Sequence, residues 1–202
     1  MSEVILLRSN TGTKDLIGSL GFSLDETRIT GFLGYLLSYR PTTLLEGLGI
    51  SDGRIESVAI EKKLETQRCD IVVETSQYVY VIEAKLHYQD PIEQLLKQER
   101  EIRARTRKKI RLIGITNNTR IPKSGVTLLS WNDIHRSLAG GESARISLLY
   151  EELKMHLENS GLANFTGLDI YAREVGDVQS LNVFLKCQAY YCHYMKSSNV
   201  EK

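Results

Sequence analysis

The stretch that most limits the fold is residues 69–85, CDIVVETSQYVYVIEAK. Two runs rich in β-branched and aromatic residues flank Ser76-Gln77, which predicts a β-hairpin with strands over 69–75 and 78–85. Side chains alternate along a strand, so Val79, Val81, Glu83 and Lys85 share one face. Folding about Ser76-Gln77 pairs residues whose numbers sum to about 152 or 153, which sets Asp70 opposite Ile82 or Glu83. Directly opposed side chains lie roughly 4.5–5.5 Å apart at Cβ. Two carboxylates and one ammonium therefore meet at one end of a strand pair that is otherwise apolar.

The hairpin sits inside a longer order of elements. A first helix follows Ser23, which with Glu26 has the spacing of a capping box. Ile29, Phe32, Leu33, Leu36 and Leu37 recur at helical spacing until Arg40-Pro41 stops the helix. Residues 42–53 carry Gly47, Gly49 and Gly53 and read as a loop with a short turn, and residues 54–61 as a strand. After the hairpin, Asp90-Pro91 opens a second helix with Asp as N-cap, Pro at the first helical position and Glu93 behind it. Its apolar stripe is Ile92, Leu95, Leu96 and Ile102. Residues 110–116 and 126–131 read as strands, residues 132–138 as a short helix, and residues near 143–159 and 178–196 as two more helices. This order predicts an α/β fold with a mixed sheet and helices packed on it.

Two carboxylates held close repel each other unless a cation sits between them, and hard oxygen ligands suit Mg²⁺ or Mn²⁺. Such an ion lowers the pKa of a coordinated water into the nucleophilic range. An adjacent lysine stabilises negative charge on a phosphate in the transition state. The cluster thus fits phosphodiester hydrolysis. The Glu-x-Lys spacing alone is weak, since it also occurs at Glu61/Lys63 and Glu152/Lys154. Only Glu83/Lys85 ends an apolar strand with an Asp facing it across a hairpin. The competing interpretation is an exposed ion-pair cluster at a sheet edge, worth little to stability.

Asp70, twelve residues and then Glu83-Ala84-Lys85 resembles the PD-(D/E)XK, or restriction-endonuclease-like, nuclease superfamily. Over residues 24–116 the element order is similar to that family's helix, three strands, helix, strand. Glu26 followed by Thr30 and Leu33, Gln94-Leu95 early in the second helix, and the segment Ser130-Trp131-Asn132-Asp133-Ile134 are also similar to patterns in its branches. Cys69 stands where the family usually has proline. The resemblance covers roughly residues 23–138. It implies a three-layer α/β/α core, set over residues 1–140; residues 141–202, beyond the resemblance, read from their helical segments as an extension packed on that core. It implies Asp70 and Glu83 as metal ligands, Lys85 as catalytic lysine, Glu26 as a further ligand and Gln94 as an auxiliary residue. Mg²⁺ is the implied cofactor, with Mn²⁺ as a substitute, and DNA the implied substrate; homodimers are common in the family. A nuclease-fold protein that binds nucleic acid or a partner without cutting is the alternative.

Charge refines this expectation. Lys plus Arg total 26 and Asp plus Glu 25, a net charge of +1 that argues against binding DNA by bulk charge. From Lys97 to Lys123, however, ten basic residues face only Glu99 and Glu101, a local net of +8. Arg100, Arg103, Arg107, Lys108 and Lys109 are the expected nucleic-acid contacts, because phosphates would answer a one-sided excess. Glu61 and Glu65 are alternative acidic ligands. Trp131 reads as a core anchor rather than a base-stacking platform, and His87 as a loop histidine close to Lys85. Cys187, Cys192 and His193 lack a second ligand pair for zinc, and Tyr190, Tyr191 and Tyr194 read as helix packing. No secretory leader or membrane-length apolar run is visible, and three unpatterned cysteines fit a reducing cytoplasm.

Overall fold

Alternation along the hairpin determines how the layers form. The computed structural model describes residues 7–8, 11–12, 26–51, 54–86, 89–117, 125–140 and 143–163. Near the N-terminus β1 (Leu7–Arg8) pairs antiparallel with β2 (Thr11–Gly12). The main sheet has five strands in the order β3 (Ile55–Lys63), β4 (Arg68–Thr75), β5 (Tyr78–Ala84), β6 (Lys109–Ile115) and β7 (Val126–Leu129). β3, β4 and β5 are antiparallel neighbours, whereas β5, β6 and β7 run parallel, so the sheet is mixed. The hairpin pairs Ile71 with Ile82, Val72 with Val81 and Val73 with Tyr80. Continued by one residue, this register sets Asp70 opposite Glu83.

The helices start and stop where local chemistry dictates. α1 (Glu26–Ser38) ends as Arg40 takes a φ of 57° ahead of Pro41. Residues 42–47 are not loop: α2 (Thr42–Gly47) is a six-residue helix with Leu44 buried. Tertiary contact holds it, because a Cβ on Gly47 would stand 2.3 Å from Ser137 Cβ. Only glycine allows that approach, so the glycine that reads as a turn signal is a packing residue. α3 (Ile92–Arg103) starts one residue later than expected, with Pro91 at the N-cap; Pro91 already has helical φ and ψ, and Asp90 Oδ1 accepts from Ile92 N at 2.9 Å. α4 (Trp131–Ser137) begins one residue earlier than the sequence suggests, behind a capping box between Ser130 and Asp133. α5 (Ala144–Asn159) follows its N-cap Ser143. The expected capping box at Ser23, His87, and the helix near 178–196 with Cys187, Tyr190, Tyr191, Cys192, His193 and Tyr194 lie outside the described residues.

Even-numbered β5 residues Tyr80, Ile82 and Ala84 pack with Ile71 and Val73 against Leu33, Leu36 and Leu37 of α1, Trp131 and Ile134 of α4, and Tyr150 and Leu153 of α5. Val79, Val81 and Val72 pack on the opposite face against Ile92, Leu95 and Ile102 of α3. Helices therefore cover both faces of the sheet, and α5 shares one continuous core with α1. Glu83 continues the odd series toward α3. Beside it in the ladder is Gly114 of β6, where a Cβ would lie 2.6 Å from Leu128 Cδ2 and 2.7 Å from Pro91 Cγ. Gly114→Ala is expected to lower stability by about 1–3 kcal/mol through overpacking, read from the midpoint of urea unfolding at unchanged slope. Among the described residues no helix is long and apolar enough to cross a membrane.

Candidate metal centre

Three elements converge where β5 ends. Glu26 lies in the first turn of α1, Asp70 is the third residue of β4, and Glu83 is the penultimate residue of β5. One carboxylate oxygen from each lies within 4.8 Å of the others. Lys85 directs its Nζ between two of them, 2.9 Å from Glu26 Oε1 and 2.9 Å from Glu83 Oε1. Glu83 is 1% exposed and Asp70 8%. Surface ion pairs do not bury their charges in this way, so an exposed cluster at the sheet edge is ruled out.

Backbone and side-chain donors hold each carboxylate. Asp70 Oδ2 accepts from Ala84 N at 3.0 Å. Glu83 Oε2 accepts from Gln98 Nε2 at 2.8 Å, and the same amide nitrogen donates to the Arg68 carbonyl at 2.8 Å. Glu26 Oε2 accepts from Leu86 N at 3.4 Å. Gln98 Oε1 is buried and unpaired. The amide orientation is nonetheless fixed, since both groups facing its nitrogen are acceptors.

The electrostatics favour an added cation. Burial and then the neighbouring Glu83 charge push the Asp70 carboxyl up to about 7, against the pull of its bond from Ala84 N–H. Burial opposes the Lys85 ammonium, but its hydrogen bonds to Glu83 and Glu26 outweigh that and hold its pKa above the usual lysine value. Fully ionised, three carboxylates and one ammonium sum to −2, which a single divalent ion balances. The donor set also fits: an all-oxygen trio with one ammonium suits a hard cation that takes few protein ligands and keeps waters. Cys69 is adjacent in sequence, but burial drives its thiol pKa up to about 12, which keeps the sulfur protonated.

The structure thus brings together Glu26, Asp70, Glu83 and Lys85. Gln94 is half-buried one turn before Gln98, and it is Gln98, fully buried, that touches Glu83. A signal for Gln98 exists in the sequence: it is the polar residue between Leu95 and Ile102 in the apolar stripe of α3. Gln98→Leu is expected to cost roughly 1–3 kcal/mol by leaving Glu83 Oε2 and the Arg68 carbonyl without a donor. Gln94→Leu should shift the thermal midpoint far less, and parallel melts of the two variants check the contrast. Glu61 faces Arg68 at 3.7 Å and Glu65 faces Arg105 at 2.9 Å, and neither belongs to the trio.

The basic run is distributed differently. Lys109 pairs with Tyr78 in the sheet, five residues and about 17 Å along β5 from Glu83. Lys108 bonds Glu56 at 2.6 Å and lies 3.9 Å from Glu74, and Arg103 pairs with Glu99. Arg107 adjoins Lys108 at that far end, and Arg100 is exposed on α3. Of the five, Lys108 is thus answered by carboxylates of β3 and β4 and Arg103 by one of α3 itself, and Lys108 and Lys109 lie at the opposite end of the β5–β6 pair from the trio. No family model, curated protein or solved structure matches the chain.

Proposed function

We propose that the chain is a Mg²⁺-dependent nuclease, with Mn²⁺ able to substitute, that hydrolyses phosphodiester bonds of DNA on a restriction-endonuclease-like core. The observation that carries this reading is the buried convergence of Glu26, Asp70 and Glu83 with the Lys85 ammonium among them. The order α1, β3, β4, β5, α3, β6 supports it, interrupted only by the short α2 between α1 and β3.

Asp70, Glu83 and Glu26 would hold the ion, which when bound supplies Lewis acidity and lowers the pKa of water. Ala84 N–H and the Gln98 amide fix the two buried carboxylates, so neither has to reorganise as charge develops. Lys85 presents its ammonium to a phosphate oxygen and stabilises the negative charge that accumulates there. Water adds to phosphorus, one phosphorus–oxygen bond to sugar breaks, and the departing oxygen takes a proton.

Calorimetric titration of Mg²⁺ and Mn²⁺ tests the site. The parent is expected to bind, and Asp70→Ala and Glu83→Ala are each expected to abolish binding. Absence of any titratable site, with DNA binding that persists and falls steeply with salt, would replace the nuclease with a non-cutting nucleic-acid binder.

A further inference from the structure

The segment that carries Lys85 is held from a direction that the carboxylates do not explain. Regular pairing of β5 ends at Ala84, and Lys85 N donates once more across the sheet, to Ile115 O at 2.7 Å. Its carbonyl is met instead by the indole of Trp131, whose Nε1–H donates to Lys85 O at 2.9 Å. Trp131 is fully buried and is the first residue of α4, directly behind the Ser130/Asp133 capping box. Its own backbone N–H donates to Asn117 Oδ1 at 3.1 Å, and Asn117 Nδ2 donates to Leu162 O at 3.0 Å. The indole is therefore pinned at both its backbone and its ring.

A buried tryptophan N–H needs some acceptor, and packing alone would be served by any carbonyl. Here the acceptor belongs to the one residue whose side chain must reach Glu26 and Glu83 together. A lysine side chain has four rotatable bonds, so its ammonium is placed only as well as its backbone is. With Ile115 O taking the N–H and Trp131 holding the C=O, the two peptide groups flanking the Lys85 Cα are both fixed.

We propose that Trp131, backed by Asn117, is a positioning residue for Lys85: it holds the Lys85 carbonyl so that the ammonium stands between Glu26 and Glu83. The catalytic part of this inference rests on the nuclease reading above, and the placement of the ammonium does not.

Because the chain contains a single tryptophan, biosynthetic replacement of tryptophan by β-(3-benzothienyl)alanine changes only residue 131. It puts sulfur where the N–H stands and keeps the bicyclic shape, which avoids the cavity that Trp131→Phe would leave. The first readout is the ¹H–¹⁵N signal of the Lys85 ammonium, identified by its loss in Lys85→Arg. In the parent it is expected to be sharp, because two carboxylates hold it; in the substituted protein it should broaden beyond detection while the melting profile stays cooperative. The second readout is plasmid cleavage at saturating Mg²⁺, where kcat is expected to fall 10-fold or more with KM unchanged, since misplacement by about 1 Å costs up to about 10²-fold. An unchanged ammonium signal in the folded, substituted protein overturns the proposal and leaves Trp131 a core residue. If the parent itself cleaves nothing, the nuclease reading fails, and the ammonium signal still decides the positioning claim.

Discussion

Asp70→Asn is expected to make the metal-free protein more stable at pH 8, and to lose that advantage steadily as the pH falls toward 4. The reason is the environment of Asp70, where burial first and the Glu83 charge second raise the carboxyl from 3.8 to about 7. The folded state then holds this proton more tightly than the unfolded chain. Stability tied to the group is fully present below pH 4 and is lost as the pH rises through about 7. At 1.36 kcal/mol per unit, the loss is on the order of 4 kcal/mol. Asparagine has no charge to desolvate, and its Oδ1 still accepts from Ala84 N–H. Urea unfolding of parent and variant between pH 4 and pH 8 measures the difference. Saturating Mg²⁺ should invert the order at pH 8, because an ion that binds only the folded parent stabilises it by mass action. If the two proteins have parallel pH profiles, Asp70 does not carry the burdened charge.

The second large effect concerns Lys85. Its side chain is 12% exposed, and its ammonium is the cation seated against Glu83, whose side chain is 1% exposed. Lys85→Met leaves that carboxylate buried with the Gln98 amide and no opposing charge. Removing one partner of a buried ion pair costs about 3–5 kcal/mol, so the metal-free variant should unfold well before the parent in urea at neutral pH. Mg²⁺ should restore much of this stability, since it supplies the missing positive charge to the same oxygens. Cleavage should nonetheless fall by at least about 10²–10³-fold, the cost of removing one group that stabilises transition-state charge. The combination of bound metal, recovered stability and lost turnover separates a catalytic lysine from a purely structural one. Full activity in a Mg²⁺-saturated Lys85→Met protein would contradict the role assigned to it.

Local signals and long-range geometry contributed unequally to what could be read from the chain. The hairpin register followed from the turn at Ser76-Gln77 and the alternation on either side, because both are settled within a few residues. Asp90-Pro91 marked a helix start for the same reason, as caps act inside one turn, whereas Ser130, which caps α4 with Asp133, reads as the end of a strand. Gln98 was harder to foresee than Gln94, since only the angle at which α3 crosses the sheet decides which turn meets Glu83. The charge excess from residue 97 onward is real in the sequence, yet part of it is answered from a distance: Glu56 of β3 and Glu74 of β4 face Lys108, and Glu65 of the β3–β4 turn faces Arg105. Those pairings span 34 to 52 residues, beyond any window read along the chain. Residues 42–47 turned helical because Gly47 lets α2 press on Ser137, again a contact made by folding.

The central claim is that one buried site, made by Glu26, Asp70, Glu83 and Lys85, cuts DNA when a divalent ion is present. Its most direct measurement is an assay of the purified full chain on supercoiled, linear and single-stranded DNA with Mg²⁺ or Mn²⁺, alongside Asp70→Ala and Lys85→Ala. Metal-dependent cleavage by the parent, absent when the metal is chelated and lost in both variants, is the result expected. Cleavage of equal rate in the parent and both variants, or none by the parent on any of the three substrates with either metal, would contradict it.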